Sequence, residues 1–180
     1  MRRTLVSLGI VALFGVATGC SHSPTPEGEA PKAPFASAVI APVAGNKCSG
    51  TIAFTQQGTR VRVVADLSGL VPGRKHGIHI LEAFSCGSTL DAETVGNHFD
   101  PGNDEHGVPP DNSRHAGDLG NAVADERGRA HYELTITNFS VSEKRAVVGR
   151  AVVVHSGMDS GSQPAGNAGT AIGCGVIQAR

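Results

Sequence analysis

The 180-residue sequence has no tryptophan, a single tyrosine and only 4% aromatic residues. A core with so few large rings must be filled mainly by small and β-branched side chains. No charge of one sign dominates either, with 15 Lys and Arg against 16 Asp and Glu. That balance excludes a general electrostatic attraction to nucleic acid. Uninterrupted helical stretches are scarce, because 24 glycines and 10 prolines are scattered through the chain and each is costly inside a helix. The composition therefore excludes a helical bundle, a coiled coil and a polytopic membrane protein, and its length fits one folded domain.

What is present begins with an address. Met1-Arg2-Arg3 is positive, and the apolar run Leu5 to Ala17 is too short to cross a bilayer unaided. It reads as a bacterial secretion signal over residues 1–19. The run closes as Ala17-Thr18-Gly19-Cys20, which resembles the lipobox that precedes a diacylated cysteine. Cys20 is thus the expected lipidation site, giving an anchor in the membrane of a bacterial cell envelope, with the protein facing the periplasm or the outside. Residues 20–37 follow as a proline-rich tether carrying Pro24, Pro26, Pro31 and Pro34 with little apolar content. His22 within it reads as a solvated residue. Export puts the remaining cysteines, Cys48, Cys86 and Cys174, in an oxidising compartment. Three pairings are open, and one thiol must stay single.

Residues 38–180 read as short strands. From Arg60 to Leu67 the chain alternates, with Val61, Val63, Ala65 and Leu67 on one face and Arg62, Val64 and Asp66 on the other. Further strands are expected at Ala38 to Val43, Gly50 to Thr55, Gly77 to Glu82, His131 to Thr137, Arg145 to His155 and Ala171 to Ile177, with turn signals such as Gln57-Gly58 and Pro72-Gly73 between some of them. Many short strands with polar turns imply an all-β sandwich or barrel. His131 reads as solvent-facing. Gly166-Asn167-Ala168-Gly169-Thr170 lacks the strand, helix and lysine of a phosphate loop and reads as a turn.

Cys86 to Asn121 has no strand periodicity and is rich in Gly, Asp, Asn, Pro and His. A loop of that length needs something other than apolar packing to hold it. Inside it lies His98-x7-His106-x8-His115-x2-Asp118, a set of nitrogen and oxygen donors that suits tetrahedral zinc. A structural zinc supplies folding free energy that a polar loop cannot gain by burial. A solvated histidine-rich loop is the plainer reading of the same spacing.

Seven motifs in order carry a resemblance. They are Gly77-Ile78-His79-Ile80, Gly96-Asn97-His98-Phe99-Asp100-Pro101, His106-Gly107, Arg114-His115-Ala116-Gly117-Asp118-Leu119-Gly120-Asn121, Gly149-Arg150-Ala151-Val152-Val153-Val154-His155, Gly166-Asn167-Ala168-Gly169 and Cys174-Gly175-Val176-Ile177. Together they resemble copper/zinc superoxide dismutase from about Ala38 onward. The resemblance implies an eight-stranded Greek-key β-barrel with a long zinc loop. It implies zinc at His98, His106, His115 and Asp118, with His98 bridging to copper, and copper-ligand positions at His79, His98 and His155. It also implies Asp159 as the carboxylate joining a copper-side to a zinc-side histidine, a disulfide between Cys86 and Cys174, and Cys48 left as a turn residue without a catalytic role.

Two positions depart from the family. Its strand reads His-x-His, but here the second position is Leu81, which has no lone pair to offer. His76 does not substitute, since its odd offset from position 81 points it to the other face. The arginine expected to guide superoxide is replaced by Ala171, and the loop Ser156 to Thr170 holds one charged residue, Asp159. Steering of an anion needs positive potential around the channel, an effect for which this enzyme class is the standard illustration. The copper site then retains only His79, His98 and His155, and no complete catalytic set is left. The expectation is a zinc-binding, dismutase-like lipoprotein with little or no dismutase activity, for which zinc is the cofactor and copper a doubtful one. Two alternatives stand beside it: a weak dismutase using three histidines on copper, with superoxide as substrate, and a periplasmic copper-binding or interaction module. A homodimer is compatible with either.

Overall fold

In a computed structural model, the described residues are 35–43, 45–87, 90 and 97–180. The expected secretion signal, the expected lipidation site Cys20 and the expected tether through Pro34 lie outside them. β1 (Phe35–Pro42) and β2 (Ser49–Gln57) pair antiparallel, and β2 pairs with β3 (Arg60–Ser68) through nine consecutive residues. β4 (Lys75–Ile80), β5 (Asp118–Val123), β6 (Ala130–Ile136), β7 (Ala151–His155), β8 (Ala171–Val176) and the short β9 (Gln178–Ala179) complete the set. Strand order is β5-β4-β7-β8-β1-β2-β3-β6, all antiparallel, with β9 beside β1. No helix occurs among the described residues.

β1 is the corner of this strip. Its first part pairs with β2 and its last two residues, Ala41 and Pro42, pair with Gly173 and Cys174 of β8. The ends of the strip, β5 and β6, share no ladder, and the barrel is nearly closed. There the Tyr132 hydroxyl on β6 donates to the Leu119 carbonyl on β5 at 2.6 Å. The only tyrosine in the chain thus ties the seam.

The alternation expected in β3 is present: Val61, Val63, Ala65 and Leu67 are buried, and their neighbours are not. They join Ile52 and Phe54 of β2, Ile78 and Ile80 of β4 and Val152 and Val154 of β7 in one interior cluster of mostly aliphatic side chains. The sparse aromatic content leaves Phe54 against Phe139 as the ring contact in that interior. His131 is exposed as expected, between Asp66 at 2.7 Å and Glu133 at 3.2 Å.

Three expectations need correction. β1 begins at Phe35, so residues 35–37, assigned to the tether, are strand. The strand expected over Arg145 to His155 is only Ala151–His155, because Arg145 takes φ 65° and Gly149 φ 91°, turning the chain before β7. The loop expected to run to Asn121 ends at Asp118, where β5 starts. Asp118-Leu119-Gly120-Asn121 reads as a turn in isolation, but pairing of Asp118 with His79 and of Asn121 with Gly77 makes it the start of a strand. Cys48, in the connection between β1 and β2, is a free thiol buried in the core. A Cβ on Gly173 would approach its Sγ to 2.8 Å, so glycine in β8 leaves the room it needs, and burial lifts its pKa to about 11. A thiol so placed is chemically quiet.

The loop between β4 and β5 is fastened at several points. Phe99 is buried, its N–H bonded to the Ile80 carbonyl at 2.8 Å and its carbonyl to the Gly117 N–H at 2.8 Å. A side chain on Gly117 would lie 2.3 Å from the Ile80 carbonyl oxygen, so this approach requires glycine. The Arg150 guanidinium stacks 3.8 Å over the Phe99 ring and pairs with Glu82 at 2.6 Å. Cys86 is joined to Cys174 of β8, 88 residues away in sequence.

Because that bond closes a long segment of chain, its loss should cost about 2–5 kcal/mol. Thermal unfolding followed with and without reductant should show a clearly lowered midpoint on reduction. An unchanged midpoint would mean that the loop is held without the bond.

Candidate metal centre

The candidate residues gather on the outer wall of the barrel rather than in its interior. On β4, Ile78 and Ile80 point into the core, so His79 faces outward, as side chains on a strand alternate. The β4–β5 register shifts between Gly77 and His79, and the β7–β8 register shifts between Val154 and His155. Such irregularities re-aim side chains, and here each adjoins one of the two strand histidines. Asp118 opens β5, directly opposite His79. The loop supplies His98, His106 and His115, and His98 forms a bridge with Leu81 at the end of β4.

One half of the site is built around Asp118. Its Oδ1 lies 2.7 Å from His98 Nδ1 and 3.3 Å from His115 Nδ1, and its Oδ2 lies 3.0 Å from His106 Nδ1. The three imidazole rings are 5.3 to 5.5 Å apart, centre to centre. The Gly107 and His115 N–H groups donate to Oδ2 at 3.0 and 3.1 Å, and buried Arg114 grips the loop at the Asp118 and Asp111 carbonyls. Burial would raise the Asp118 pKa, yet hydrogen bonds from His106, His98 and the Gly107 N–H hold it well below the carboxylate range.

In the other half, both strand histidines spend their N–H groups outward. The His79 Nε2 donates to Asp159 Oδ2 at 2.9 Å, and the His155 Nδ1 donates to the Gly169 carbonyl at 3.0 Å. Their remaining nitrogens, His79 Nδ1 and His155 Nε2, face each other at 2.9 Å. Burial depresses His79 to about 3 and His155 to about 4, so near neutral pH both rings are uncharged and both facing nitrogens carry lone pairs. Two lone pairs at that separation repel unless a cation lies between them. His98 stacks on His79 at 3.9 Å, and its Nε2 is buried without a partner.

Asp159 couples the halves. Its Oδ2 takes His79 and its Oδ1 takes His106 Nε2, each at 2.9 Å. Burial tends to lower the His106 pKa, but Asp118 and Asp159 on either side lift it to about 9. That position attracts positive charge. The same bonds from His106 and His79 outweigh burial and press Asp159 far below the usual carboxylate range.

His98, His106, His115 and Asp118 therefore come together as their spacing suggested, and His79 and His155 join them from the strands. His79, His98, His106 and Asp118 offer ligand atoms that all lie within 4.8 Å of one another. His98 Nε2 is buried without a hydrogen-bond partner, and the inward Nδ1 atoms of His106 and His115 have only the Asp118 carboxylate near them, an arrangement suited to holding a cation. The donor set fits zinc on the Asp118 side by number and type. His76 stands apart: its Nδ1 donates to the His155 carbonyl at 2.8 Å, and it is not part of the cluster.

Sequence reading missed the supports. Asn121 grips the Asp159 backbone through paired bonds of 2.9 and 2.8 Å, and Gln163 does the same to the His106 backbone at 2.8 and 3.1 Å. Asn121 belongs to a quoted motif, whereas nothing around Gln163 marks it. Gly166 roofs the Asp159–His106 bond at φ +74°, and a Cβ there would sit 2.1 Å from Asp159 Oδ1 and 2.7 Å from His106 Nε2.

The positions paired with the strand histidines across the sheet are apolar, as is Leu81 just beyond β4. Leu81 is fully buried with Ala151, Val153, Ala171 and Cys174 in a cluster separate from the barrel interior. Ala171 lies directly across from His155, and Val153 directly across from His79.

Fold and site together define a β-barrel protein able to bind metal on its outer wall. Residues 48–177 match the family profile described as copper/zinc superoxide dismutase (SODC). A "Superoxide dismutase [Cu-Zn]" of Paramecium bursaria Chlorella virus 1 is 40% identical over 136 residues, covering 71% of this chain and 71% of that protein. The chain belongs to the copper/zinc superoxide dismutase family, which implies binding of copper and zinc.

Two predictions follow from the geometry. Gly166→Ala should push Asp159 off His106 and weaken metal retention by about 10–100-fold, as loss of an outer hydrogen bond to a ligand does; competition with a chromophoric chelator reads this, and unchanged retention would contradict it. Metal-free protein should lose stability as pH falls from about 6.5 toward 4, because unfolded His79 and His155 take up protons there that the folded rings refuse. His106 adds no slope in that range, being protonated in both states below its unfolded value. Below it, Asp118 and Asp159 act in the same direction as the strand histidines, since their folded values are depressed. Chemical denaturation across that range reads the slope.

Proposed function

We propose that the protein is a zinc-binding, dismutase-like lipoprotein of a bacterial cell envelope, anchored through Cys20, with little or no superoxide dismutase activity. The observation that carries this reading is Leu81. It stands where the family strand has a second copper-binding histidine, and it is buried among aliphatic neighbours with no donor atom. Ala171, where the family has its superoxide-guiding arginine, packs into the same cluster. The arm from Ser156 to Thr170 carries only the negative charge of Asp159, which is buried and occupied by two histidines.

On this reading His98, His106, His115 and Asp118 hold zinc, which supplies folding free energy and fixes the long loop against the barrel. Copper, where bound, supplies one-electron redox chemistry. The chain's own contribution to such chemistry is reduced at each stage. His79, His98 and His155 offer three nitrogens, and Leu81 offers no fourth. Asp159 orients His79 and His106 through their outer N–H groups. No cation lies at position 171 to draw in a small anion, and the surrounding arm does not steer one.

A weak copper-dependent dismutase using the three histidines is the second reading, favoured by the facing lone pairs of His79 and His155. A periplasmic copper-binding module would use the same residues without turnover.

Refolding with excess zinc and copper, followed by elemental analysis and a superoxide-removal assay, separates these readings. The proposal expects about one zinc per chain and little superoxide removal, with turnover rising in the Leu81→His/Ala171→Arg double variant. Superoxide removal at the rate of active family members by the unaltered protein would refute it, and near-stoichiometric copper with modest activity would support the second reading.

A further inference from the structure

The two departures, Leu81 and Ala171, are not scattered. Every imidazole of the copper-side trio has a member of their cluster as its backbone neighbour: His79 lies across from Val153, His98 bridges Leu81, and His155 lies across from Ala171. Val153, Leu81 and Ala171 are buried together, with Cys174 of the disulfide among them. The trio therefore stands against a continuous dry wall.

Such a wall distinguishes the two charge states of copper. Divalent copper favours a square-planar or tetragonal set of nitrogen and oxygen ligands, whereas monovalent copper is satisfied by two or three. At position 81 the wall removes the fourth donor, and at position 171 it removes the cation that would hold an anion near the metal. Burial adds to this, because the cost of taking an ion out of water grows as the square of its charge, about fourfold more for a divalent than a monovalent ion. The apolar shell around a metal sets that balance as much as its ligands do.

We propose that His79, His98 and His155 form a three-imidazole site selective for monovalent over divalent copper, with Leu81 and Ala171 as the specificity-determining pair. This rests on the reading above in which the Asp118 side is filled by zinc.

Zinc-loaded protein is titrated with Cu(I) under anaerobic reducing conditions against bicinchoninate, and with Cu(II) against glycine, with zinc content measured in the same samples. One Cu(I) per chain is expected, bound about 100-fold or more tightly than Cu(II). His155→Ala should weaken Cu(I) by about 100-fold without changing zinc content, which places the copper at the trio rather than at Cys48 or Met158. Leu81→His should narrow the preference by about tenfold or more, mainly by tightening Cu(II). Cu(II) bound by the unaltered protein as tightly as Cu(I) would overturn the proposal, as would Cu(I) affinity indifferent to His155→Ala. The comparison in the unaltered protein decides the matter even where Leu81→His does not fold. Loss of zinc with the copper preference intact would instead sink the zinc-holding reading alone.

Discussion

The outer-wall site depends on where its N–H groups are spent. Asp159 takes one from His79 and one from His106, and the Gly169 carbonyl takes one from His155. For His79 and His155 the bond fixes a tautomer and turns the opposite nitrogen inward as a lone pair. A cluster of buried imidazoles could otherwise satisfy itself by internal hydrogen bonding and would have no use for a cation. With the outer partners in place the inward nitrogens cannot pair with one another, and positive charge between them becomes the favourable solution.

Those outer partners come from elements the barrel must hold in register. Asp159 and Gly169 lie on the arm between β7 and β8, and the arm is clamped to β5 by Asn121 and to the loop by Gln163. The loop bearing three of the ligand candidates is held by Phe99 beneath Arg150 and by the bond from Cys86 to Cys174. Strand, loop and arm meet at Asp118 and Asp159, so a disturbance in any one of them reaches both halves of the site. The apolar cluster around Leu81 is a different kind of neighbour: it contributes packing where a metal site of this family contributes a ligand.

Much of this was legible in the sequence. The alternation of Val61, Val63, Ala65 and Leu67 needed only the two-residue period of a strand, and the spacing of His98, His106, His115 and Asp118 needed only the chemistry of the donors. The joining of those four with His79 and His155 came from ordered motifs resembling a family, since no local pattern says which strand faces which loop. What escaped was non-local. β5 is a strand only because β4 pairs with it, Cys48 is buried only because Gly173 makes room, and Gln163 matters only because its arm folds back over His106. The apolar cluster uniting Leu81 with Ala171 was equally invisible, because 90 residues separate two positions that the sheet brings together.

Copper-edge X-ray absorption on protein loaded with both metals tests the central claim most directly, because it counts the donors around copper. The account predicts three imidazole nitrogens on any copper that binds, with no donor from position 81. A fourth imidazole in that shell, whether from His76 or another residue, would contradict it.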